Sequence, residues 1–332
     1  VALANELTCR VALAIKGKAH DYPWFRAPVV GIFGATAAAA RIMGCDAGQH
    51  LQALGLTLPT VGGTFASLEH PGSDIRSVRD GIAYRNGVLA AQLASNGLRG
   101  DQRVFDGPFG FFNAYFNGRY DSAVLTTALG SKYHCEEVAL KPWPSIRHVH
   151  TALTAVHDAL SRTGLQPKQI ARVRVRVGEI TRQRCGTVPR GGLPGTRMDL
   201  LGNLPFAVAN MVTHGTVSLA AYRDNAVADA VFDTMGQKVE WVFDANLTGR
   251  GTFERSAVEI VALDGTVHRA ECELARGHPG NPMSRAERHA KFAVCAALAP
   301  RPLGDSRIRR VIEAVEDLEH VPNLAEVTSL LA

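Results

Sequence analysis

The hydrophobic pattern of this chain changes its period near Gly164, and this change restricts the fold more than any other feature. Before that position, apolar residues recur at helical spacing, as in Arg147–Thr163. After it, Ile170–Val177 reads IARVRVRV and alternates strictly, which predicts a half-buried strand with its arginines facing solvent. Two further apolar runs flank Asp264-Gly265, a dipeptide typical of a hairpin turn. The chain therefore combines helices with a small sheet.

Helical patterns dominate the rest of the sequence. An Ala-rich helix is predicted over Gly34–Met43, and a longer helix over Ser77–Asn96 ends at Gly97. Ser284 and Glu287 have the spacing of a capping box at the start of another helix. Residues 305–318 and 323–331 continue the helical pattern to the end of the chain.

These patterns predict an α+β protein that is predominantly α, with a large all-helical domain and an inserted, smaller α+β lid domain. The helical domain takes residues 1–136, the lid takes residues 137–276, and residues 277–332 return to the helical domain. Val1–Ile15 reads as the inside of a helix, so we expect the natural start of the protein to lie upstream.

Composition excludes several classes of protein. Of 332 residues, 46% are hydrophobic and 20% are charged, which is not the composition of a disordered chain. The net charge of +5 suits anionic small molecules as well as nucleic acid. The six cysteines lie far apart without a CxxC pair, which favours reduced thiols and a cytoplasmic location over a disulfide framework or a zinc site. The longest uncharged stretch is too short to span a membrane.

Six sequence blocks, in this order, resemble the MmgE/PrpD family. The resemblance covers essentially all of this chain, but only the later part of the length of the family. The blocks are GIFGATAAAARIMGCD (residues 31–46), LEHPGSDIRSVRDG (68–81), FDGPFGFFNAYF (105–116), LKPWPSIRHVH (140–150), NLPFAVA (203–209) and GHPGNPMSRAERHAKF (277–292).

The resemblance implies a homodimeric, cofactor-independent lyase of the 2-methylcitrate dehydratase or cis-aconitate decarboxylase type. Such an enzyme removes a proton next to a carboxylate or releases CO₂ from a small di- or tricarboxylate. The negative charge that develops must be held by cations and hydrogen-bond donors. We therefore expect no metal, no nucleic acid and no membrane as partners. We expect Val1–Ile15 and the helix from Gly34 to pack against a second copy or a separate N-terminal polypeptide.

Three residues near one helix start are the principal candidates for this chemistry. Arg147 and His150 are three residues apart, so they share a face of the first helical turn, where free N–H groups also attract anions. The positive end of the helix dipole should keep the imidazole neutral, as a general base requires. Lys141, in the KPWP segment, reaches the same region. We predict His150 and Lys141 as the catalytic pair and Arg147 as a substrate-binding residue.

Arg76 and Arg79 are predicted to bind substrate carboxylates, because they match a lysine and a histidine of the family pattern. Phe25 stands at a third family position, where a histidine is expected. A guanidinium stays protonated at neutral pH and cannot shuttle a proton. Two alternatives to the lyase therefore remain open: an epimerase or isomerase of a dicarboxylate, which needs no proton donor for a leaving group, and a catalytically inactive family member.

The remaining candidates carry weaker signals. His148 and His157 lack the carboxylate or cysteine partners of a metal site. Arg182, Arg184 and Arg190 follow the strand and could reach a carboxylate, but they are better explained as residues of a solvated loop. The glycines of residues 107–112 lack the spacing of a phosphate-binding loop. The arginine-rich strand has no interleaved aromatic residues, which argues against an RNA-binding sheet.

Overall fold

The computed structural model describes residues 1–17, 21–68, 73–185, 200–223, 225–249 and 254–332. The chain forms two compact units. Unit 1 comprises Val1–Val138, Gln183–Leu204 and Gly249–Thr252, and unit 2 comprises Ala139–Arg182, Pro205–Thr248 and Phe253–Ala332.

The described α-helices are α1 (Ala2–Ala14), α2 (Arg26–Ile42), α3 (Ala47–Thr57), α4 (Ile75–Ser95), α5 (Phe111–Phe116), α6 (Ala123–Thr126), α7 (His150–Thr163), α8 (Glu179–Cys185), α9 (Leu204–His214), α10 (Ala220–Arg223), α11 (Asn225–Thr234), α12 (Arg285–Ala297), α13 (Asp305–Glu316) and α14 (Leu324–Ser329). The strands are β1 (Ile170–Val177), β2 (Val239–Phe243), β3 (Ser256–Ala262) and β4 (Val267–Cys272).

Short side chains allow the helices of unit 1 to pack closely. Where α2 meets α4, a Cβ placed on Gly87 would lie 2.8 Å from the carbonyl oxygen of Ile32. Where α2 meets α1, a Cβ on Gly34 would lie 2.3 Å from the carbonyl oxygen of Ala4. Both approaches need glycine, so the expectation that Ala and Gly bring these backbones together is confirmed.

The Ala-rich helix begins earlier than its sequence pattern predicts. α2 starts at Arg26 instead of Gly34, and Pro28 lies in its first turn, where a missing N–H costs no helical hydrogen bond. Its Ala-rich part is largely buried within unit 1: Ala37, Ala39 and Ala40 are all buried. Ile42 and Met43 at the end of the segment are exposed, and the packing of this helix against another chain stays a prediction.

The long helix α4 buries its small side chains and exposes many of its large ones. Within α4, the buried residues are Ala83, Gly87, Ala90, Ala91 and Ala94. Val78, Ile82 and Leu89, from the apolar stripe in the sequence, are exposed. The close contact with α2 explains this choice of face, because only short side chains fit between helices at that distance.

The core of unit 1 is aromatic. The Phe-rich segment of α5 inserts Phe111, Phe112 and Phe116, which are fully buried, beside Phe33 of α2. The Phe33 and Phe111 rings meet edge to face with centroids 4.9 Å apart. Such contacts add to the burial of each ring, which contributes about 2–3 kcal/mol.

Unit 2 holds a four-stranded mixed sheet with the strand order β2-β1-β3-β4. β1 pairs in parallel with β2 and antiparallel with β3, and β3 pairs antiparallel with β4. The turn between β3 and β4 places Gly265 at a φ of +86°, as the hairpin signal predicts. α7 packs on β3 and β4, and the valines of β1 are buried while its arginines lie outward.

The outward arginines of β1 are paired with carboxylates of the β2 strand and the turn after it. Arg172 and Arg174 both lie 3.7 Å from the carboxylate of Glu240, and Arg176 binds Asp244 with Nε 2.9 Å from Oδ2. These ion pairs are partly exposed, so they contribute little to stability. They do give the alternating arginines a structural role.

The predicted fold class, predominantly α with a small α+β part, is confirmed. The capping box of Ser284 and Glu287 and the end of α7 at Gly164 are confirmed as well. In the division of the chain into two compact units, residues 277–332 belong to unit 2. The boundaries of the functional domains stay a prediction. Among the described residues, no helix is both long and apolar enough to cross a bilayer.

Candidate active site

The segment before α7 positions three of the predicted site residues. Pro142 and Pro144 limit the conformations of this segment, which bends over residues 142–145, because each restricts its own φ and the conformation of the residue before it. A single 3₁₀ turn follows at Arg147–Val149, and α7 begins at His150. The predicted helix over Arg147–Thr163 therefore has a 3₁₀ first turn.

Lys141 and His150 are joined through Ser145. The Lys141 Nζ donates a hydrogen bond of 2.9 Å to the carbonyl oxygen of Ser145, and the Ser145 Oγ lies 3.0 Å from the Nε2 of His150. Ser145 is 3% exposed and His150 is 2% exposed, whereas Lys141 is exposed. The contacts form a path from a solvent-exposed ammonium group to a buried imidazole.

The environment of His150 favours its neutral form. Burial lowers the pKa of His150 to about 3, and the positive charges of Lys141, Arg147 and Lys291 act in the same direction. A hydrogen bond with the Ser145 backbone opposes these effects. The imidazole is therefore uncharged at neutral pH, with burial as the main cause.

Backbone contacts fix the position of Lys141. The preceding residue, Leu140, donates its N–H to the carbonyl of Gly277 at 2.8 Å. Gly277 has a φ of +88°, and a Cβ there would lie 2.1 Å from the carbonyl oxygen of Leu140. The Arg147 Nη2 donates to the carbonyl of Ala139 at 3.0 Å. Gly277, the first residue of the GHPGNP block, thus allows the close approach of the segment that carries Lys141.

In unit 1, the guanidinium group of Arg79 lies against the ring of Phe25. The guanidinium carbon of Arg79 is 3.7 Å from the centroid of Phe25, and the Phe65 ring meets Phe25 at 4.5 Å. The Arg79 Nε donates to Asp80 at 2.9 Å, while its Nη1 is buried without a partner among the described residues. Arg76, one turn earlier on α4, is exposed.

Arg79 also contributes to a pocket of about 410 Å³ in unit 1. Its wall combines backbone, hydroxyl, amide and guanidinium groups with a few aliphatic side chains: Thr60, Gly62, Gly63, Thr64, Ala66, Ser73, Ile75, Arg79, Ile82, Ala83 and Asn86. Hydrogen-bond donors and one cation in a pocket of this size suit a small anion.

The structure therefore places the predicted residues in two groups. Lys141, Arg147 and His150 come together in unit 2, and Arg76 and Arg79 lie on α4 of unit 1. The prediction that these five residues act on one substrate stays a prediction.

The weaker candidates have structural contacts. Arg182 binds Glu179 at 2.7 Å, and the guanidinium of Arg184 lies 5.7 Å from the ring centroid of Phe65. His157 lies 3.3 Å from Asp158, and His148 lies in the 3₁₀ turn. Arg190 lies outside the described residues. Within the part of the chain that the structure describes, no cluster of three or more potential metal ligands occurs.

Comparison with protein families gives two matches that together cover most of the sequence. Residues 1–123 match the MmgE/PrpD N-terminal domain, and residues 143–319 match the MmgE/PrpD C-terminal domain. The chain belongs to the MmgE/PrpD family. The C-terminal match includes Trp143, Ser145, Arg147 and His150, and the N-terminal match includes Phe25.

Relatives of this family member include several proteins named for one reaction. The cis-aconitate decarboxylase-like protein oryM of Aspergillus oryzae is 25% identical over 322 residues, which cover 93% of this chain and 65% of that protein. The cis-aconitate decarboxylase of Homo sapiens is 22% identical, covering 98% of this chain and 68% of that protein. The enzyme of that name from Aspergillus terreus is 22% identical, covering 93% and 64%. The chain thus spans about two thirds of the length of these relatives.

Sequence reasoning missed two residues of this site, Ser145 and Lys291. Both lie in blocks that carry the family resemblance, but neither belongs to a spacing pattern with chemical meaning. Ser145 was detectable in principle, because a hydroxyl residue five positions before a candidate base lies within reach of it. The effect of Lys291 on His150 depends on the packing of α12 and has no local signal.

Proposed function

We propose that this MmgE/PrpD protein is a cofactor-independent lyase acting on a small di- or tricarboxylate. The observation that supports this most is the neutral, buried imidazole of His150, linked through Ser145 to the ammonium group of Lys141. A neutral base beside a proton donor and a second cation suits proton transfer next to a carboxylate. The names of the relatives favour decarboxylation of cis-aconitate.

In the proposed reaction, each cation has a distinct role. Arg147 binds a carboxylate in unit 2, because guanidinium groups pair with carboxylates in a bidentate manner, and the proposal keeps Arg76 and Arg79 of unit 1 as carboxylate-binding residues for the same chemical reason. Lys141 supplies the proton to the carbon that loses CO₂, and solvent restores it. For a substrate that must first lose an α-proton, His150 accepts that proton.

Two observations in unit 1 favour the alternative functions. Phe25 provides no proton donor, and Arg79 is held between the Phe25 ring and Asp80. An epimerase or isomerase needs no proton donor for a departing hydroxyl, so these residues are compatible with it. A protein that retains the fold without catalysis is compatible with them too.

The test incubates the purified protein with cis-aconitate, with 2-methylcitrate or citrate, and with a chiral dicarboxylate. We expect CO₂ release from cis-aconitate, measured by a coupled bicarbonate assay, and loss of this activity in Lys141→Met. For a substrate that first loses an α-proton, we expect His150→Gln to abolish turnover. His157→Gln, a half-exposed histidine on the same helix, serves as the matched control. Absorbance of a new double bond from 2-methylcitrate or citrate would indicate a dehydratase instead. Deuterium uptake from D₂O into a chiral dicarboxylate without elimination would indicate an epimerase, and no reaction at all would indicate an inactive protein.

We also propose a homodimer, with the exposed apolar face of α4 as part of the interface. Val78, Ile82 and Leu89 are 50%, 43% and 50% exposed, and apolar faces of this kind are normally covered by another subunit. Light scattering checks this proposal. A stable particle with the mass of one chain, 35.6 kDa, would contradict it, and Val78→Lys should give such a particle if the proposal is right.

A further inference from the structure

Ser145 contacts both candidate catalytic residues, His150 through its hydroxyl and its backbone and Lys141 through its carbonyl oxygen. Its hydroxyl lies 3.0 Å from the Nε2 of His150, and its carbonyl oxygen accepts the hydrogen bond of 2.9 Å from Lys141. The serine itself is 3% exposed, so water does not compete freely for either contact. The preceding Pro144 limits the conformations available to this segment. One residue thereby connects the exposed and the buried member of the predicted catalytic pair.

A neutral imidazole needs such a partner because it exists in two tautomers. One ring nitrogen carries the proton and the other is the base, and the hydrogen bonds of the ring decide which is which. The His150 ring is 2% exposed and packs against Trp143 with centroids 5.7 Å apart. An indole face offers no strong hydrogen bond to a ring nitrogen, so the contacts with the hydroxyl and the backbone of Ser145 together have a large influence on the tautomer.

We propose that Ser145 is a positioning residue that holds His150 in one tautomer while fixing Lys141 beside it. This inference rests on the lyase function proposed above, and Ser145 itself forms no bond with substrate. The hydroxyl orients the base, and the carbonyl orients the proton donor. A rotation of the imidazole would move its basic nitrogen by more than an ångström, which is enough to reduce the rate of proton transfer.

The hydroxyl and backbone contacts of Ser145 respond differently to substitution. Ser145→Ala removes the hydroxyl contact of His150 but keeps the backbone contacts of both His150 and Lys141, so it isolates the effect of the hydroxyl on the ring. Ser145→Thr keeps a hydroxyl, and Ser145→Cys keeps a weaker donor of similar volume. The matched control is Ser256→Ala in the same unit, because Ser256 is fully buried and its hydroxyl lies 2.8 Å from that of Thr151.

The deciding measurement is the nitrogen chemical shifts of the His150 ring in protein labelled with ¹⁵N-histidine, assigned by their loss in His150→Gln. We expect one tautomer in the unsubstituted protein from about pH 5 to pH 8 and a mixture of tautomers in Ser145→Ala. Ser145→Thr should restore the single tautomer, and Ser256→Ala should not change it. If Ser145→Ala does not fold, an intermediate mixture in Ser145→Cys supports the proposal. An unchanged tautomer in the folded Ala or Cys variant overturns it.

Turnover separates this inference from the proposed function. If the protein turns over a carboxylate whose α-proton His150 accepts, Ser145→Ala should reduce kcat by about 10–100-fold with KM changed less than about twofold. A purely structural serine would lower the amount of folded protein without changing kcat per folded molecule. If the unsubstituted protein converts no carboxylate, the lyase proposal fails, whereas the tautomer measurement still tests the role of Ser145 toward His150.

Discussion

Lowering the pH should destabilise this protein through one histidine. The folded-state pKa of His150 is about 3, whereas an unfolded histidine titrates near 6.5. Below pH 6.5 the unfolded chain therefore binds a proton that the folded chain does not, and stability falls as the pH decreases toward 3. Each pH unit costs about 1.4 kcal/mol, so the loss between pH 6.5 and pH 4.5 is about 2–3 kcal/mol.

The assay is urea unfolding at several pH values, followed by tryptophan fluorescence, because Trp143 packs against the His150 ring. The His150→Gln variant cannot bind this proton. Its free energy of unfolding should therefore lack the decrease of about 2–3 kcal/mol between pH 6.5 and pH 4.5 that the unsubstituted protein shows. The acids Glu287 and Glu316, whose pKa values are lowered to about 2, lose their contributions only below about pH 4.5, outside this window. His157→Gln should keep the pH dependence of the unsubstituted protein. Parallel curves for the unsubstituted protein and His150→Gln between pH 7.5 and pH 4.5 would refute the reasoning.

Three further substitutions test the packing around the candidate site. Gly277→Ala should lower the free energy of unfolding by about 3 kcal/mol or more in urea titrations. The control is Gly164→Ala, because Gly164 has a φ of +70° but no atom lies within 4 Å of a new Cβ there. This control should lower the free energy of unfolding by only about 1 kcal/mol. Glu287→Gln should cost about 1 kcal/mol near pH 7 in thermal melts, because its ion pair is one-third exposed, and this difference should vanish as the pH falls from 4.5 toward 2. Phe25→Leu should cost about 1 kcal/mol in urea unfolding, because an aliphatic side chain cannot replace the ring contact with Arg79, and no cost would contradict that role.

Local signals explain what the sequence allowed us to predict. The alternation of Ile170–Val177, the Asp264-Gly265 turn and the Ser284 capping box each act within about ten residues, and all three appear in the structure. The proximity of Lys141 and His150 is also a local effect, because the two residues are nine positions apart in the sequence and both contact Ser145. Interactions at this range depend little on the rest of the fold.

Long-range packing explains what the sequence could not show. The apolar stripe of α4 satisfies a helical period, but the close approach of α2 selects the opposite, small-residue face for burial. The contact of Phe25 with Arg79 joins residues that are far apart in the chain. The burial of His150, and hence the low pKa, depends on Trp143 and on the surrounding unit. None of these has a spacing that a single sequence reveals.

The residues at the altered family positions restrict which reaction this protein can perform. Phe25 has no ionisable group, and the guanidinium of Arg79 does not release its proton near neutral pH. Any proton transfer at the two positions would therefore need a different group. In the proposed site, this leaves Lys141 and His150 to handle protons, one as donor and one as acceptor. Decarboxylation needs one proton donor at the carbon that loses CO₂. Elimination of water needs a base that removes the α-proton and an acid that protonates the leaving hydroxyl. Since Lys141 and His150 would supply both a donor and an acceptor, the residues alone do not choose between the two reactions, and the comparison of cis-aconitate with 2-methylcitrate and citrate decides between them.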